Sequence, residues 1–369
     1  MKDSIITMQP TQSDIQTLRV GVIGLGWAGE THLKSYLTLP NVDVIAIADP
    51  FESKRKQVAD TYGIPLQFEN YEDLIARDDI DIVSIATPNY LHAPAAIAAL
   101  STGKHVLCEK PLAHTAEAAE AMVKAAAENN RVLHIAFNHR QRGDVRVLKQ
   151  YIDNGGLGRI YHAKAFWMRR SGIPGYGGWF TNKEKAGGGP MIDLGVHVLD
   201  MALYLMGEPE VLSVTGATYS ELGTRGRGSR GDNAGAGGYN VEDLATAFIR
   251  LESGATLLLE ASWAAYGKRW DDFGVSLYGT EGGADIDVQG YTNENTLSIY
   301  TEVGGAPADM HPRVSGGEGH LAVVRNFVDA IRGGSWSLHT GKDGLRRAQI
   351  IDACYRSALE GHEIVLSKP

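Results

Sequence analysis

Three side chains of this sequence could exchange a proton with a hydroxyl group. Lys110 follows an apolar run in the segment VLCEKP, and Asp193 and His197 stand four positions apart in GGGPMIDLGVHVLD. Residues four apart share one face of an α-helix, so the sequence predicts that this carboxylate and imidazole point into one cleft. Either Lys110 or His197 could take the proton that an alcohol loses when it is oxidised.

The residues that precede this helix predict how it begins. Pro190 suits a first helical position, and the three glycines at 187–189 are expected to remove side chains near the site. The positive N-terminal end of a helix favours an ionised Asp193 and disfavours a cationic His197, so we expect a neutral imidazole that can accept a proton. Lys110 could instead remain a cation that hydrogen-bonds a developing alkoxide, and which residue holds the final proton stays open.

Other interpretations of these residues compete with catalysis. An aspartate and a histidine at helical spacing are also common as a surface pair or as a satisfied pair in a core. A metal site would need a third ligand nearby, and the sequence contains neither HEXXH nor CxxC, because Cys108 and Cys354 are its two cysteines. We therefore predict no metal site, and we expect both cysteines to be buried packing residues.

The elements that must position these side chains alternate between strands and helices in the first part of the chain. Apolar runs such as LRVGVI, VDVIAIA and IDIVSIA are separated by segments of helical spacing that end near Pro40, Gly63 and Gly103. Continuous apolar strands that alternate with helices indicate a parallel sheet covered on both faces. The sequence predicts a polar tail at 1–17 and a doubly wound α/β domain at 18–140.

The rest of the chain has a different pattern. Strand-like segments such as IYHAKAFWM, DLATAFIRL and GATLLLEASWAA follow one another, with turn signals and few helices between them. This pattern predicts an α+β domain at 141–369 with a large, mostly antiparallel sheet. Residues 222–238 are too rich in glycine for regular structure and are interpreted as a mobile loop.

The segment GLGWAG, residues 24–29, matches the GxGxxG pattern of dinucleotide-binding turns. A chain with 44 glycines also matches this pattern by chance, and a second match at 226–231 has neither a strand before it nor a helix after it. The first match joins a strand to a helix, and Asp49 ends the next strand at the spacing that dinucleotide binding requires. This context predicts a dinucleotide site.

Each residue of the pattern has a physical role. Gly24 permits the tight turn, Gly26 lets backbone N–H groups approach the pyrophosphate, and Gly29 allows the helix to pack closely on the strand. Asp49 would accept hydrogen bonds from the adenosine ribose and repel a 2′-phosphate, which favours NAD over NADP. A basic pair at 54–55 lies near enough in the sequence to keep NADP open.

Further cofactor contacts are expected where the strands end, because ligands of parallel sheets bind at the carboxyl edge. The predicted cofactor-binding residues are Gly24, Leu25, Gly26, Trp27, Ala28, Gly29, Asp49, Thr87, Pro88, Asn89, His92, Glu109, Lys110 and Asn138.

The segment WMRRSGIPGYGGWFT offers arginine forks and aromatic faces that suit a polyhydroxylated ring. The predicted substrate-binding residues are Lys110, Arg169, Tyr176, Trp179, Asp193 and His197, with Arg170 and Phe180 in the same segment and His139 and Arg140 as weaker candidates. An equally weighted alternative places Trp167 and Trp179 in the core and leaves the arginines solvated.

The overall composition excludes several classes of protein. A chain of 369 residues that is 43% hydrophobic can bury large cores, and its net charge of −9 argues against a nucleic-acid or anionic-membrane partner. The loop with Arg225, Arg227 and Arg230 lacks interleaved aromatics and is expected to be a lid or an oligomer contact. No apolar run approaches the roughly 18 residues of a spanning helix, and the N-terminus is too polar for a secretory signal, so we expect a cytoplasmic protein.

In these motifs the chain resembles the Gfo/Idh/MocA family of oxidoreductases. The resemblance covers nearly the whole chain and includes VGVIGLGWAGETHL, ATPNYLHA, VLCEKPLA, GGGPMIDLGVHVLD, VEDLA and GTEGG. It implies a Rossmann domain joined to an open-faced sheet through which members form homodimers or homotetramers. It also implies that Lys110, Asp193 and His197 act together, whereas Pro190 departs from the small apolar residue that we expect in the family.

The resemblance further implies an NAD-dependent enzyme that transfers hydride between nicotinamide and a secondary hydroxyl of a sugar, glycoside or cyclitol, with ring carbon three as a candidate position. Two alternatives stay open. One is a glycoside-cleaving relative that oxidises the ring transiently and regenerates its NAD. The other is a sensor that binds dinucleotide or sugar without turnover, against which the intact Lys110, Asp193 and His197 argue.

Overall fold

The computed structural model describes residues 16–229 and 238–366, and the first of its two sheets contains the N-terminal strands. These are β1 (Leu18–Ile23), β2 (Val42–Ala48), β3 (Leu66–Phe68), β4 (Ile82–Ile85), β5 (His105–Cys108) and β6 (Leu133–Ile135). They pair in parallel in the order β3-β2-β1-β4-β5-β6. The central strands β1 and β4 are apolar and mostly buried because helices cover both faces. The predicted doubly wound parallel sheet is confirmed.

The helices of this layer begin and end close to the predicted signals. They are α1 (Trp27–Leu37), α2 (Glu52–Tyr62), α3 (Tyr71–Ile75), α4 (His92–Ser101) and α5 (Ala116–Glu128). Gly63 ends α2 with a φ of +70°, a left-handed conformation that glycine adopts without strain. Thr115 caps α5, because its hydroxyl accepts the Ala118 N–H at 3.1 Å.

The second sheet contains the strands that follow residue 160. They are β7 (Ile160–Arg169), β8 (Val211–Tyr219), β9 (Leu244–Leu251), β10 (Thr256–Ser262), β11 (Asp271–Gly279), β12 (Gly283–Gln289), β13 (Leu297–Val303), β14 (Ala306–Met310) and β15 (Ile364–Val365). Within the described ranges their order is β14-β13-β12-β11-β7-β10-β9-β8-β15. The pair β7 and β10 runs parallel, and the other neighbours run antiparallel. The predicted mostly antiparallel sheet is confirmed.

One face of the second sheet is covered by helices, and the other is open. The remaining α-helices are α6 (Gly143–Asp153), α7 (Lys183–Ala186), α8 (Val196–Leu205), α9 (His320–Gly333) and α10 (Lys342–Glu360). Shorter 3-10 segments lie at Asn89–Leu91, Asn138–Gln141, Trp179–Thr181, Gly223–Arg225 and Trp336–Leu338. α8 packs on β7 and β11, and α10 packs on β8. The opposite face exposes large apolar side chains, namely Leu258, Tyr278 and Tyr300.

Two further expectations concern the membrane and the cysteines. In the part of the chain that the structure covers, no helix has both the length and the apolar character to cross a bilayer. Cys108 and Cys354 are both buried and free, as predicted.

Helix α9 returns to the first sheet although it lies late in the chain. Val323, Val324 and Phe327 pack in one apolar cluster with Val20 and Val22 of β1. The segment after α9 also reaches β6, where the Leu133 N–H donates to the carbonyl oxygen of His339 at 2.8 Å. The division at residue 140 stays a prediction, and residues 320–340 contribute to the core of the first layer.

A buried ion cluster joins the two layers. Arg347 of α10 is 1% exposed and donates both terminal nitrogens to Glu208, at 2.7 and 2.8 Å. Its Nε lies 3.0 Å from Asp200 of α8, and Arg140, which follows β6, also binds Asp200 through two nitrogens. A buried carboxylate needs such cations, because desolvation of an unpaired charge is costly.

Removing Arg347 should destabilise the fold. Arg347→Met leaves Asp200 and Glu208 with fewer cationic partners, so we expect a loss of roughly 3 kcal/mol in the free energy of unfolding. Arg356→Met is the matched control, because Arg356 lies on the same helix in exposed pairs, which are worth at most about 1 kcal/mol. Urea denaturation followed by circular dichroism measures both variants, and equal losses would contradict a special role for the buried cluster.

Candidate active site

The glycine turn between β1 and α1 has the close contacts that its pattern predicts. Gly24 has a φ of +83°, and a Cβ built on it would lie 2.5 Å from the Ala86 carbonyl oxygen. A Cβ on Gly29 would lie 1.8 Å from the Gly24 carbonyl oxygen, so a larger residue there would push α1 away from the turn. A Cβ on Gly26 would meet no atom within 4 Å. Gly24 and Gly29 are thus needed for packing, whereas Gly26 borders open space.

The Asp49 side chain is held at the end of β2 by backbone donors. Its Oδ2 accepts the Leu25 N–H at 2.9 Å, and its Oδ1 accepts the Phe51 N–H at 2.9 Å. The nearby cations are engaged elsewhere, because Lys54 pairs with a glutamate of α1 and Arg55 donates to the Asp49 carbonyl oxygen. The carboxylate keeps further lone pairs with which to accept hydroxyl donors.

A cavity of about 700 Å³ opens at the carboxyl edge of the first sheet. The predicted cofactor residues that line it are Gly24, Leu25, Gly26, Trp27, Ala28, Asp49, Thr87, Pro88, Asn89, His92, Glu109 and Lys110. Gly29 lies behind the turn, and Asn138 begins a 3-10 segment outside the cavity lining. Phe51, Glu69 and Tyr71 also line the cavity and were missed, although the position of Phe51 two residues past Asp49 was a usable signal.

The cavity has two chemically different ends. Asp49 follows β2, and Lys110 follows β5, with β1 and β4 between these strands. At about 4.8 Å per strand spacing, the two ends lie about 14 Å apart. The second part of the chain closes the Lys110 end with Trp179, Phe180 and Asp193. The cavity therefore suits an elongated ligand that reaches from a ribose-binding acid to a lysine.

His92 and Asn89 hold this edge together. The two His92 ring nitrogens lie 2.8 Å from the Pro111 carbonyl oxygen and 2.9 Å from the Thr87 carbonyl oxygen, and a neutral ring donates to one of them. The Asn89 side chain donates to the Ala186 carbonyl oxygen at 2.9 Å, which ties the first layer to α7. Burial lowers the pKa of His92. Both side chains border the cavity, but their polar atoms are used for protein contacts.

Lys110 and Asp193 meet across the two layers. Lys110 Nζ lies 3.1 Å from the Asp193 Oδ1 and 3.1 Å from the Asp193 carbonyl oxygen. The other carboxylate oxygen, Oδ2, accepts the Nε1–H of the fully buried Trp263 at 2.9 Å. Trp263 was missed from the sequence, because its contact depends on the pairing of β10 with β7 rather than on a local motif. The ammonium is therefore oriented by a carboxylate that is itself fixed.

Asp193 lies in a π-helical turn rather than in the predicted α-helix. The π turn spans Met191–Gly195, and α8 begins only at Val196. Its wider i to i+5 geometry is often found at functional sites. The α-helical argument that placed Asp193 and His197 on one face therefore does not apply, and the two side chains have different neighbours.

The three glycines before the turn do not serve the predicted purpose. A Cβ on residues 187–189 would lie 2.2 Å from the His114 carbonyl oxygen, 2.0 Å from the Tyr355 hydroxyl and 2.1 Å from the Glu242 carbonyl oxygen, in that order. The prediction that they clear side chains from the site was wrong. They allow neighbouring segments to approach the chain that carries Asp193.

Glu242 fixes the start of the π turn. Its carboxylate accepts the N–H groups of Gly189 and Met191, at 2.8 and 3.1 Å, and the Tyr355 hydroxyl at 2.8 Å. Burial raises the pKa of Glu242, and these hydrogen bonds oppose that effect. Glu242 belongs to the VEDLA motif, which contributed to the family resemblance but did not predict this role.

His197 lies against an aromatic cluster below the lysine. Its ring stacks on His139 with centroids 4.6 Å apart and lies 5.5 Å from Trp167, and no described residue bonds its buried Nδ1. Burial lowers the pKa of His197 well below its usual value, and the Lys110 ammonium lowers it further. The expected neutral imidazole is supported, but burial rather than a helix end is the main cause.

Glu109 lies beside Lys110 and contacts two histidines. Its Oε1 lies 3.0 Å from His32 Nε2 and 3.3 Å from His320 Nε2. Burial raises the pKa of Glu109, but the hydrogen bonds from these imidazoles outweigh burial and hold it well below its ordinary value. The ligand atoms of His32, Glu109 and His320 lie within 4.8 Å of one another, a grouping that could hold a metal ion and that no sequence spacing predicts.

The predicted substrate residues have separate surroundings. Trp179 lines the cavity and stacks on Phe180, whereas Trp167 is a core aromatic whose Nε1–H donates to Asp271 at 2.9 Å. Arg169 pairs with Asp271 at 2.9 Å. The Tyr176 hydroxyl donates to the carbonyl oxygen of Arg227 at 2.7 Å, so it ties two loops together.

The remaining candidates have structural partners. Arg170 stacks on Trp270, and Arg140 belongs to the ion cluster described above. In the arginine-rich loop, Arg225 pairs with Glu221, whereas Arg230 lies outside the described residues.

The fold and the cavity together define a class of protein. The parallel sheet, the glycine turn and the acid at the end of β2 form a dinucleotide-binding domain, and a lysine–aspartate pair lies at the opposite end of the cavity. The residues fit a dinucleotide. The absence of a side chain at Gly26 leaves open space at the turn for the pyrophosphate, and Asp49 keeps acceptors available for the ribose hydroxyls. These features define a dinucleotide-dependent oxidoreductase.

The chain belongs to the Gfo/Idh/MocA oxidoreductase family. The family description "Oxidoreductase family, NAD-binding Rossmann fold" matches residues 18–137, and "GFO/IDH/MocA C-terminal domain" matches residues 145–285. The protein is therefore an NAD-binding oxidoreductase.

Similar proteins extend over nearly the whole chain. D-glucoside 3-dehydrogenase of Escherichia coli (strain K12) is 32% identical over 95% of this chain and 97% of its own length. Levoglucosan dehydrogenase of Pseudarthrobacter phenanthrenivorans is 32% identical over 93% of this chain and 97% of its own. A solved structure of levoglucosan dehydrogenase in complex with NADH superposes with a TM-score of 0.84 at 28% identity, covering 96% of this chain and 100% of that one.

Loss of the Trp263 hydrogen bond should slow turnover. Trp263→Phe removes the donor to Asp193 Oδ2, so the Lys110–Asp193 pair becomes less well oriented and kcat should fall about tenfold, as expected for a hydrogen bond to a charged group. Trp336→Phe is the matched control, because its Nε1–H donates to Ile331 at 2.8 Å outside this cavity. Steady-state kinetics test the prediction, which fails if both variants retain kcat.

Proposed function

We propose that this protein is an NAD-dependent dehydrogenase that oxidises a secondary hydroxyl of a glycoside or related sugar, at ring carbon three. The observation that carries the proposal is the Lys110–Asp193 pair at the end of the cavity opposite Asp49. The substrate class is supported by the two similar dehydrogenases, whose names specify a glucoside and levoglucosan. The carbon is supported by the name of the first of them.

Each polar residue at this end has a separable task. A bound oxidised nicotinamide would supply the acceptor for the hydride of the substrate carbon. Lys110 hydrogen-bonds the reacting hydroxyl and stabilises the developing alkoxide. Asp193 orients the ammonium through Oδ1 while Trp263 holds Oδ2. His197, which burial keeps neutral, is available to accept the released proton.

The walls around this end suit a sugar ring. Trp179 and Phe180 form a stacked aromatic surface on the cavity, and apolar ring faces of sugars pack on such surfaces. Arg169 is fixed by Asp271 and by the Tyr291 hydroxyl at 2.8 Å, so its guanidinium is pre-oriented. We assign Trp179 to ring stacking and Arg169 to a supporting position.

A substrate panel tests the proposal. Purified protein and NAD are mixed with glycosides, free sugars and inositols, and absorbance of reduced nicotinamide is followed. We expect a rise with glycosides and a loss of about 100-fold or more in kcat for Lys110→Ala, the usual range for removing a general acid or base. Lys185→Ala, an exposed lysine of α7, is the control and should retain kcat.

Other results would redirect the assignment. Glycoside cleavage without net reduction of NAD would favour an enzyme that recycles its cofactor, and NAD binding without turnover of any sugar would favour a sensor. Unchanged turnover in Lys110→Ala would remove Lys110 from the chemistry.

We further infer that a second copy of this chain is the protein partner and that it packs on the open face of the second sheet. That face exposes Leu258 of β10 and Tyr278 of β11, the two strands that flank β7, and apolar surfaces of this kind are typical of interfaces. A symmetric dimer would cover the same face of both subunits. We also propose a cytoplasmic location, consistent with two buried free cysteines.

A charge on the open face should dissociate the oligomer. Leu258→Glu puts a carboxylate at the centre of the face, where pairing with a second copy would bury it, so the mass in solution should fall to that of one chain. Leu359→Glu, on the exposed side of α10, is the control and should leave the mass unchanged. Light scattering after size-exclusion chromatography measures the mass, and a monomeric wild-type protein would contradict the inference.

A further inference from the structure

Glu109 is a charged residue of the cavity to which the proposed mechanism gives no role. Its side chain is 10% exposed, it lines the cavity, and it precedes Lys110. Its Oε2 accepts the Lys110 backbone N–H at 3.1 Å, so the carboxylate is fixed to the segment that carries the lysine. The Lys110 ammonium is bound to Asp193 and not to Glu109.

Neutral imidazoles can stabilise the ionised carboxylate by donating N–H groups to it. A neutral His32 can donate its Nε2–H to Glu109 and accept the Ser84 hydroxyl at Nδ1, 2.9 Å away, so both ring nitrogens are satisfied. His320, the first residue of α9, lies 3.3 Å from the same oxygen and packs edge-on against Trp27 of the glycine turn. Two segments far apart in the chain thus converge on one carboxylate oxygen of a third.

The charges at the lysine end of the cavity do not cancel. Among the described residues that line this end, Glu109 and Asp193 are carboxylates, and Lys110 supplies one ammonium. His197 adds no charge because burial keeps it neutral. With His32 and His320 neutral, this end of the cavity carries one excess negative charge, and such a charge interacts with a nearby cation.

We propose that the His32–Glu109–His320 cluster makes the protein bind oxidised NAD more tightly than reduced NAD. The nicotinamide ring is a cation when oxidised and neutral when reduced, so a fixed negative charge at its end of the cavity stabilises the oxidised form selectively. Differential affinity of this kind lowers the reduction potential of the bound couple. The lower potential disfavours reduction of bound NAD, and the weaker binding of NADH helps its release after each turnover. The proposal rests on NAD binding and not on the identity of the sugar.

Binding measurements without substrate test this directly. Dissociation constants for NAD⁺ and NADH are determined by isothermal titration calorimetry for the wild-type protein and for Glu109→Gln, which removes the charge at nearly constant size. We expect NAD⁺ to bind about tenfold more weakly in the variant while NADH changes by less than about twofold, as for one nearby opposite charge. For a two-electron couple a tenfold change in this ratio corresponds to about 30 mV.

Two further variants separate electrostatics from structure. Glu30→Gln neutralises a partly buried carboxylate on α1 that does not line the cavity, and it should leave the ratio of the two constants unchanged. His320→Leu removes one donor to Glu109 and should shift the ratio in the same direction by about threefold. This variant decides the question if Glu109→Gln does not fold.

Several outcomes would overturn the proposal. Equal weakening of NAD⁺ and NADH in Glu109→Gln would mean that the residue is a uniform or structural contact. A ratio that moves as much in Glu30→Gln as in Glu109→Gln would mean that general charge is responsible. Stoichiometric metal in the purified protein, lost in His320→Leu, would also overturn it, because His32, Glu109 and His320 place their ligand atoms within 4.8 Å and a bound cation would cancel the negative charge.

Discussion

The contact between Lys110 and Asp193 is the constraint on which the rest of the structure depends. The two residues are 83 positions apart, and they lie on different layers, so the pair exists only if both sheets adopt the correct relative position. The parallel ladder fixes Lys110 at the end of β5. Glu242, Tyr355 and Trp263 fix the turn that carries Asp193. The ion cluster of Arg140, Asp200 and Arg347 then holds the layers in register.

The electrostatics of the site follow from where water is excluded. Burial favours the neutral form of both Glu109 and His197, but the neighbours of the two side chains differ. His32 and His320 lie against Glu109 and lower its pKa, whereas no described residue bonds Nδ1 of His197 and the Lys110 ammonium lowers the pKa of His197 further. An ionised acid (Glu109), an ammonium (Lys110) and a neutral base (His197) thus lie in one small region of the protein. Proton transfer and hydride transfer need such unlike groups side by side.

Sequence patterns predicted the features that depend on contacts between residues close in the chain. The strand and helix alternation, the glycine turn, Asp49 and the EKP lysine were all recognisable, because each depends on residues close in sequence. The sequence could not predict Trp263, Glu242 or the convergence of His32 and His320 on Glu109, because those contacts depend on strand pairing and helix docking. The π turn was also missed, since Pro190 and the spacing of Asp193 and His197 fit an ordinary helix equally well. The glycines at 187–189 were recognised as unusual but were assigned the wrong neighbours.

The return of α9 to the first sheet affects how this architecture can be recombined. A segment cut at residue 140 would carry the whole dinucleotide fold by strand count, yet it would leave bare the surface of β1 that Val323, Val324 and Phe327 cover. It would also lack His320, one of the two donors to Glu109. A chimera that exchanged substrate domains between relatives would therefore need to keep residues 320–340 with the nucleotide fold. The nucleotide-binding unit that such an exchange must keep together is therefore discontinuous along the chain.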